Sequence, residues 1–331
     1  MAGRIQRSSA LFKASWSVLR EDKTLLLFPI LSSLASLVVI ASFAIPVVTL
    51  LTTDETLRNE VITTMNEASQ SNQSDQADQA DQSPSEAAAA STEAGGTDDA
   101  VIPEGWEIAG YAYLFAFYFV TSFVVIFFNA ALIAAANERF QGRPTGVGAG
   151  ISVALKRLPQ ILGWTLVATT VNLILRAIEE RVGLVGKIIV GLIGVGWAIA
   201  IYFAVPAVVL EGVGPIGAIK RSGQTIRKTW GESLMIAVGF GLAGIVISIL
   251  GIALLVGGGI AIAAAAGGGS AIGMTGGLVI AVCGGVVLVG WAILSGTLRG
   301  ITQTALFRFA TDGTVVSGFD QHDLEVAFQH K

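Results

Sequence analysis

Residues able to do chemistry are scarce in this chain, and those present stand apart from one another. Both histidines, His322 and His330, fall in the last ten residues. Neither a His-based metal site nor a Ser–His–Asp triad is therefore expected. The single cysteine, Cys283, sits in an apolar run. It has no partner for an internal disulfide and reads as a small buried hydrophobe. No glycine-rich phosphate loop and no pair of carboxylates in an apolar setting occurs. No catalytic residue, metal ion or cofactor is expected, and the chain is not expected to be an enzyme.

Two acids stand out by position. Glu138 and Glu211 each close an even-numbered apolar run, and bases follow each: Arg139 and Arg143, then Lys220, Arg221 and Arg227. One reading is an ion pair that joins a membrane span to the helix after it. The other is a site for a lipid headgroup. Both stay open at the level of sequence.

The elements that would hold these residues are long apolar runs. The chain is 53% hydrophobic and 13% charged, about half the charge of a soluble protein. A spanning helix needs about 20 apolar residues. Six runs qualify: 25–52, 108–136, 161–178, 185–210, 233–257 and 277–298. Short alternating strands, the mark of a membrane barrel, are missing, so the runs are expected to be helices. The fold class predicted is all-α, a polytopic bundle of six transmembrane helices in one integral membrane domain over 1–331. The apolar run 25–52 is longer than the core of a signal peptide and is expected to be a retained first span.

Charge orients the bundle. The N-terminus (1–24), the segments 137–160 and 211–232, and the tail 299–331 hold sixteen of the twenty basic residues. Under the positive-inside rule both termini and these segments are cytoplasmic. Residues 53–107 carry thirteen acids against the single base Arg58 and form an external loop. Within it, 66–105 is rich in Ser, Gln, Asp and Ala with no aromatic, and is expected to be disordered. The charge-free stretch 258–276 is either an external turn or a re-entrant segment. Asn129 and Asn172 are expected to hydrogen-bond between helices.

Residues 5–16 (IQRSSALFKASW) align without a gap on 219–230 (IKRSGQTIRKTW). Ile5/Ile219, Arg7/Arg221, Ser8/Ser222 and Trp16/Trp230 are identical. The apolar positions Ile216, Ile219, Gly223, Ile226 and Trp230 step by three and four, as on one helix face. Each copy reads as a basic amphipathic helix in the cytoplasmic interface, with apolar residues in acyl chains and bases on headgroups. A fainter third copy holds Ile151, Leu155, Lys156, Arg157, Leu158 and Leu162. Three interfacial helices and a three-unit internal repeat follow. The alternative is that charge bias and Trp belts make all such helices look alike. The candidate headgroup or ion-pair residues are Glu211, Lys220, Arg221, Arg227, Lys228, Trp230, Arg7 and Trp16.

From the second span onward the chain resembles an uncharacterised family of six-span prokaryotic membrane proteins. The resemblance rests on Phe128-Asn129-Ala130-Ala131-Leu132, on Phe140-Gln141-Gly142-Arg143-Pro144, and above all on 206–215 (PAVVLEGVGP) with Ala218-Ile219-Lys220-Arg221-Ser222. The tail segments 305–310 (ALFRFA) and Gly318-Phe319-Asp320 are similar too. Over 206–250 the pattern is also similar to the membrane domain joined to some glycerophosphodiester phosphodiesterases. This chain has no soluble catalytic domain, so the resemblance implies architecture rather than activity. The function expected is a non-enzymatic, lipid-interacting scaffold or partner-binding module in the plasma membrane of a prokaryote. Its partners are the bilayer and its anionic headgroups, and no nucleic acid. The alternative is a passive channel or transporter for an apolar or lipid-like solute. The orientation is testable: an impermeant thiol reagent added outside should label a cysteine at Ser83 and spare one at Ser222, and the reverse pattern rejects it.

Overall fold

The computed structural model describes residues 13–53, 104–143, 146–267 and 270–316, together with Asn59, Thr63, Asn66 and Phe319. The expected disordered stretch 66–105 lies almost wholly outside them. Among the described residues every regular element is helical. Helix α1 covers 13–21. A 3-10 turn at Lys23–Leu26, capped by the Asp22 carboxylate on the Thr24 N–H, leads into α2 (Leu27–Thr53). There follow α3 (Glu104–Phe140), the short α4 (Val147–Lys156), α5 (Leu158–Arg181) and α6 (Leu184–Ala200). After α6 the chain is irregular to Glu211, and two long helices close the fold, α7 (Pro215–Gly267) and α8 (Ala271–Asp312). Six helical segments are long and apolar enough to cross a membrane: Lys23–Leu50, Ala109–Phe140, Leu158–Arg181, Val185–Glu211, Gly244–Gly267 and Ala271–Asp312.

The chain divides into two compact units, Leu37–Thr121 and the remainder. Among the described residues the first is a pair of helix ends held by aromatic rings. Phe43 lies 5.2 Å from Tyr113 and 5.5 Å from Phe117, and the Tyr113 hydroxyl donates to the Phe43 carbonyl.

In the larger unit, packing is concentrated at one end, the base of the bundle. Here α3 is buried all round: each residue from Ala130 to Ala136 is at most 2% exposed. Phe28, Ile161, Trp164, Phe203, Ala207, Leu298, Ile301 and Phe307 complete the core. Small residues make this possible. A Cβ on Gly150 would lie 2.5 Å from the Ala131 carbonyl oxygen and 2.7 Å from the Phe28 ring, and one on Gly300 would lie 2.6 Å from Leu132. Away from the base the same helices are covered with exposed Leu, Ile and Val, such as Ile188, Val246, Ile249 and Val282. A water-soluble fold could not leave that apolar area bare, whereas acyl chains solvate it.

Several expected boundaries shift. The helix over 214–231 is not a separate interfacial element, because it runs unbroken into the fifth span as part of α7. At 53 residues α7 is about 80 Å long, far more than a bilayer requires. The stretch 258–276 agrees with the short-turn reading rather than the re-entrant one: α7 continues to Gly267 and α8 starts at Ala271, N-capped by Ser270. The segment 299–331 does not begin as a free tail. Helix α8 extends through it to Asp312 and buries Ile301, Thr302, Thr304, Ala305, Leu306 and Phe307. Cys283 and Asn172 prove exposed on their helices rather than buried or bridging.

Helices α7 and α8 interlock through glycines seven residues apart, Gly251 and Gly258 facing Gly277 and Gly284. A Cβ on Gly258 would lie 2.5 Å from the Ala281 nitrogen and 2.6 Å from the Gly277 oxygen, while one on Gly259 would meet nothing within 4 Å. Close backbone approach of this kind is how helices associate in lipid, where burial from water offers no drive. Gly258→Ala should therefore lower stability by about 1–3 kcal/mol, and Gly259→Ala should be neutral or slightly stabilising, in thermal unfolding of the purified protein in detergent. Equal effects at the two positions would contradict this interface.

Candidate functional site at the base of the fourth span

The fourth span does not finish as a regular helix. After a turn at 201–203 come one turn of α-helix, Ala204–Pro206, and a π-turn, Ala207–Glu211. Pro206 explains the first irregularity. It has no N–H, so the carbonyl of Tyr202, four residues earlier, loses its donor. Inside a membrane an unpaired carbonyl is costly, and a neighbouring helix must supply a substitute. The Gln303 side-chain amide on α8 donates to that carbonyl. The N–H of Phe203 is also outside the helical pattern, and it donates to the buried Ser222 hydroxyl on α7 at 3.0 Å.

The far end of the segment is held by the residue beside Ser222. Arg221 Nε donates to both oxygens of Glu211, at 2.7 and 2.9 Å. The two side chains are part-buried, about a third and a quarter exposed. Gly212 then ends the segment at φ +70°, with its N–H on the Val208 carbonyl. The dipeptide Arg221-Ser222 thus braces both ends of the irregular stretch 203–211. To reach it, α7 turns Ala218, Ser222, Thr225 and Ile226 into the core. The apolar stripe drawn from sequence splits: Ile226 is buried, while Ile216 stays 83% exposed.

Arg157 lies against the same turn. It links α4 to α5, and its Nη1, Cζ and Nη2 atoms lie 2.3, 2.6 and 3.0 Å from where a Cβ of Gly212 would stand. Three similar distances mean that the guanidinium lies flat on the glycine. Positive φ and this contact both require Gly at 212. The other acids at the base are likewise engaged. Glu138 meets Arg143 at 2.8 Å, Glu21 meets Arg139 at 2.5 Å, and Asp312 meets Arg308 at 3.2 Å. The left-handed glycines Gly142, Gly212 and Gly313 follow Glu138, Glu211 and Asp312 within four residues, each ending an even-numbered span.

The structure brings Glu211 and Arg221 together. It leaves Lys220 and Arg227 exposed and away from that pair's hydrogen bonds. Trp16 is part-buried, with the Arg20 guanidinium 5.5 Å from its ring centre. Arg7 lies outside the described residues, as do the side chains of Lys228 and Trp230, whose backbone continues α7. Sequence reasoning missed Ser222, Gln303 and Arg157 as parts of the site. The signal for the first two was Pro206 inside a span, which obliges a donor from elsewhere. For Arg157 there was none. No group of three or more metal-ligating side chains occurs among the described residues.

Helices that bury small residues at one end and expose large aliphatic ones along their lengths define a multi-pass, all-α membrane protein. The chain belongs to a family of unknown function, DUF6159, whose model matches residues 108–319. That range holds the broken span, its braces and the whole α7–α8 hairpin. No curated protein and no solved structure matches the chain significantly.

Because Ser222 is fully buried, a cysteine there would escape labelling in either orientation, and Lys220 is the informative position. Glu211→Gln and Arg221→Gln should each destabilise the protein, and the double variant should fall short of their sum by about 0.5–3 kcal/mol. Ser222→Ala should cost about 1–3 kcal/mol by leaving the Phe203 N–H unpaired. Thermal unfolding in detergent checks both, and strictly additive effects at 211 and 221 would remove the pairing.

Proposed function

We propose that this protein is a non-enzymatic, lipid-interacting scaffold or partner-binding module of a prokaryotic plasma membrane, with the base of the bundle on the cytoplasmic side. The observation that carries this reading is the state of the charges at the base. Glu21, Glu138, Glu211 and Asp312 are each paired with an arginine, and Asp22 caps a helical turn. Lys13, Lys23, Lys156, Lys220 and Arg227 are exposed and pair with no described acid. Among the described residues the spare charge at that end is positive, as the headgroups of an anionic leaflet would favour by about 1 kcal/mol per base. The likeness of 206–250 to a membrane domain joined to phosphodiesterases fits a lipid-facing role and brings no catalytic residue.

Lipid extracted with the full chain in polymer-bounded membrane discs tests the reading. Anionic phosphatidylglycerol should be enriched around the wild-type protein. Replacing the five spare bases with Gln should bring it down to the bulk fraction, and high salt should weaken the enrichment. Undiminished enrichment in the variant would overturn the reading. For orientation, with Cys283→Ser as background, Ser83→Cys should be labelled in intact cells and Lys220→Cys only after permeabilisation.

A second reading, a passive channel or transporter for an apolar or lipid-like solute, draws on the break in the fourth span, since discontinuous helices form the binding sites of many transporters. Solute flux into vesicles that Ser222→Ala or Gln303→Leu alters would favour it.

A further inference from the structure

We propose that Arg157 is the anchor of a single phosphate-binding site at the corner between α4 and α5. The inference rests on the lipid reading for the source of the phosphate and on this corner alone for the site. A guanidinium carries five N–H donors, all in its own plane. At Arg157 one face of that plane is seated on Gly212, so the donors lie beside that turn rather than pointing into it. None of them meets an acceptor among the described residues. The nearest acid in sequence to that contact, Glu211, has both oxygens on Arg221 Nε. Arg157 is therefore positioned by the fold, part-buried, and left without the planar acceptor its geometry suits.

An oxyanion with two oxygens in one plane completes that arrangement, and phosphate is the group Arg recognises in this bidentate way. Two features hold the fork in place. The backbone at Arg157 closes α4 and opens α5, with its N–H on the carbonyls of Val153 and Ala154, which fixes where the side chain starts. The turn after Gly212 also lies along α5: a Cβ on Gly163 would be 3.1 Å from Pro215 Cγ. The corner and the glycine thus share one packed wall, and Lys156 and Lys220 are exposed on the elements that form it. A lipid phosphodiester and free inorganic phosphate both present the required oxygens.

Native mass spectrometry of the full chain in detergent separates the cases, with phosphatidylglycerol, phosphatidylcholine and inorganic phosphate as probes. The wild-type protein should bind one phosphatidylglycerol more tightly than the rest, and Arg157→Gln should weaken that first binding by tenfold or more. Arg157→Lys keeps the charge and the aliphatic stem and loses the fork, so it should fold as the wild type does and bind in between. Competition by phosphate at millimolar concentration, without tight lipid binding, assigns the site to the free anion. First-site binding that is unchanged in both Arg157→Gln and Arg157→Lys overturns the proposal. Loss of lipid enrichment when Lys13, Lys23 and Arg227 alone are replaced, with the Arg157 site intact, keeps the two readings apart, since the spare bases act collectively and Arg157 acts at one site.

Discussion

Helices in a bilayer gain nothing by hiding leucine from lipid, so this bundle depends on how closely backbones approach at its base. Glycine and alanine set that distance. Gly150 lets α4 rest on the α3 backbone and on Phe28, Gly300 admits Leu132, and the run Ala130–Ala136 presents a narrow cylinder to several neighbours at once. Dispersion contacts and interhelical hydrogen bonds then hold what the small residues allow. The Ser15 and Thr302 hydroxyls, 2.7 Å apart and buried, tie the N-terminal helix to the last one. Farther from the base the helices carry large aliphatic residues on exposed faces, where acyl chains serve as solvent.

The broken fourth span is tolerable because that base is dense. Pro206 deprives Tyr202 of a donor, and the π-turn that follows changes the register before Glu211. Three side chains from two helices compensate: Gln303, Ser222 and Arg221. The most distinctive stretch of the sequence, 206–215 followed by Arg221-Ser222, is thereby given a structural reason. Glycine at 212 ends the segment and takes the Arg157 guanidinium on its face. A part-buried pair such as Glu211–Arg221 adds geometry more than raw stability, because desolvation offsets much of its attraction.

Much of this was legible in the sequence, and the failures have a common cause. The number of spans, the helical class and the candidate pair Glu211–Arg221 follow from run length and charge position. Which face of each amphipathic helix packs on protein does not. In water the large apolar stripe marks the buried side, whereas the sequence reading sets Ile216, Leu155 and Leu162 toward acyl chains. Here they are 83%, 53% and 36% exposed, and the buried side is Ala218 and Ser222 on α7 and Gly150 and Ala154 on α4. Membrane packing inverts the rule, since small residues face protein and large ones face lipid. The glycines of α7 and α8 escaped notice because they repeat every seven residues rather than every four. Residues 299–312 looked like a tail because Arg299 and Arg308 interrupt their hydropathy, although Ile301, Leu306 and Phe307 are among the most buried side chains described.

That inversion places 298–307 in the core beside α1, and disulfide cross-linking in native membranes is the most direct measurement of it. With Cys283→Ser as background, Ser15→Cys and Thr302→Cys occupy positions whose hydroxyls touch. Mild oxidation should join this pair rapidly and leave the pair Ser15→Cys and Ser270→Cys, with Ser270 capping the opposite end of α8, unjoined. Failure of the first pair to cross-link, or equal cross-linking of both, would contradict a core built at one end of the bundle.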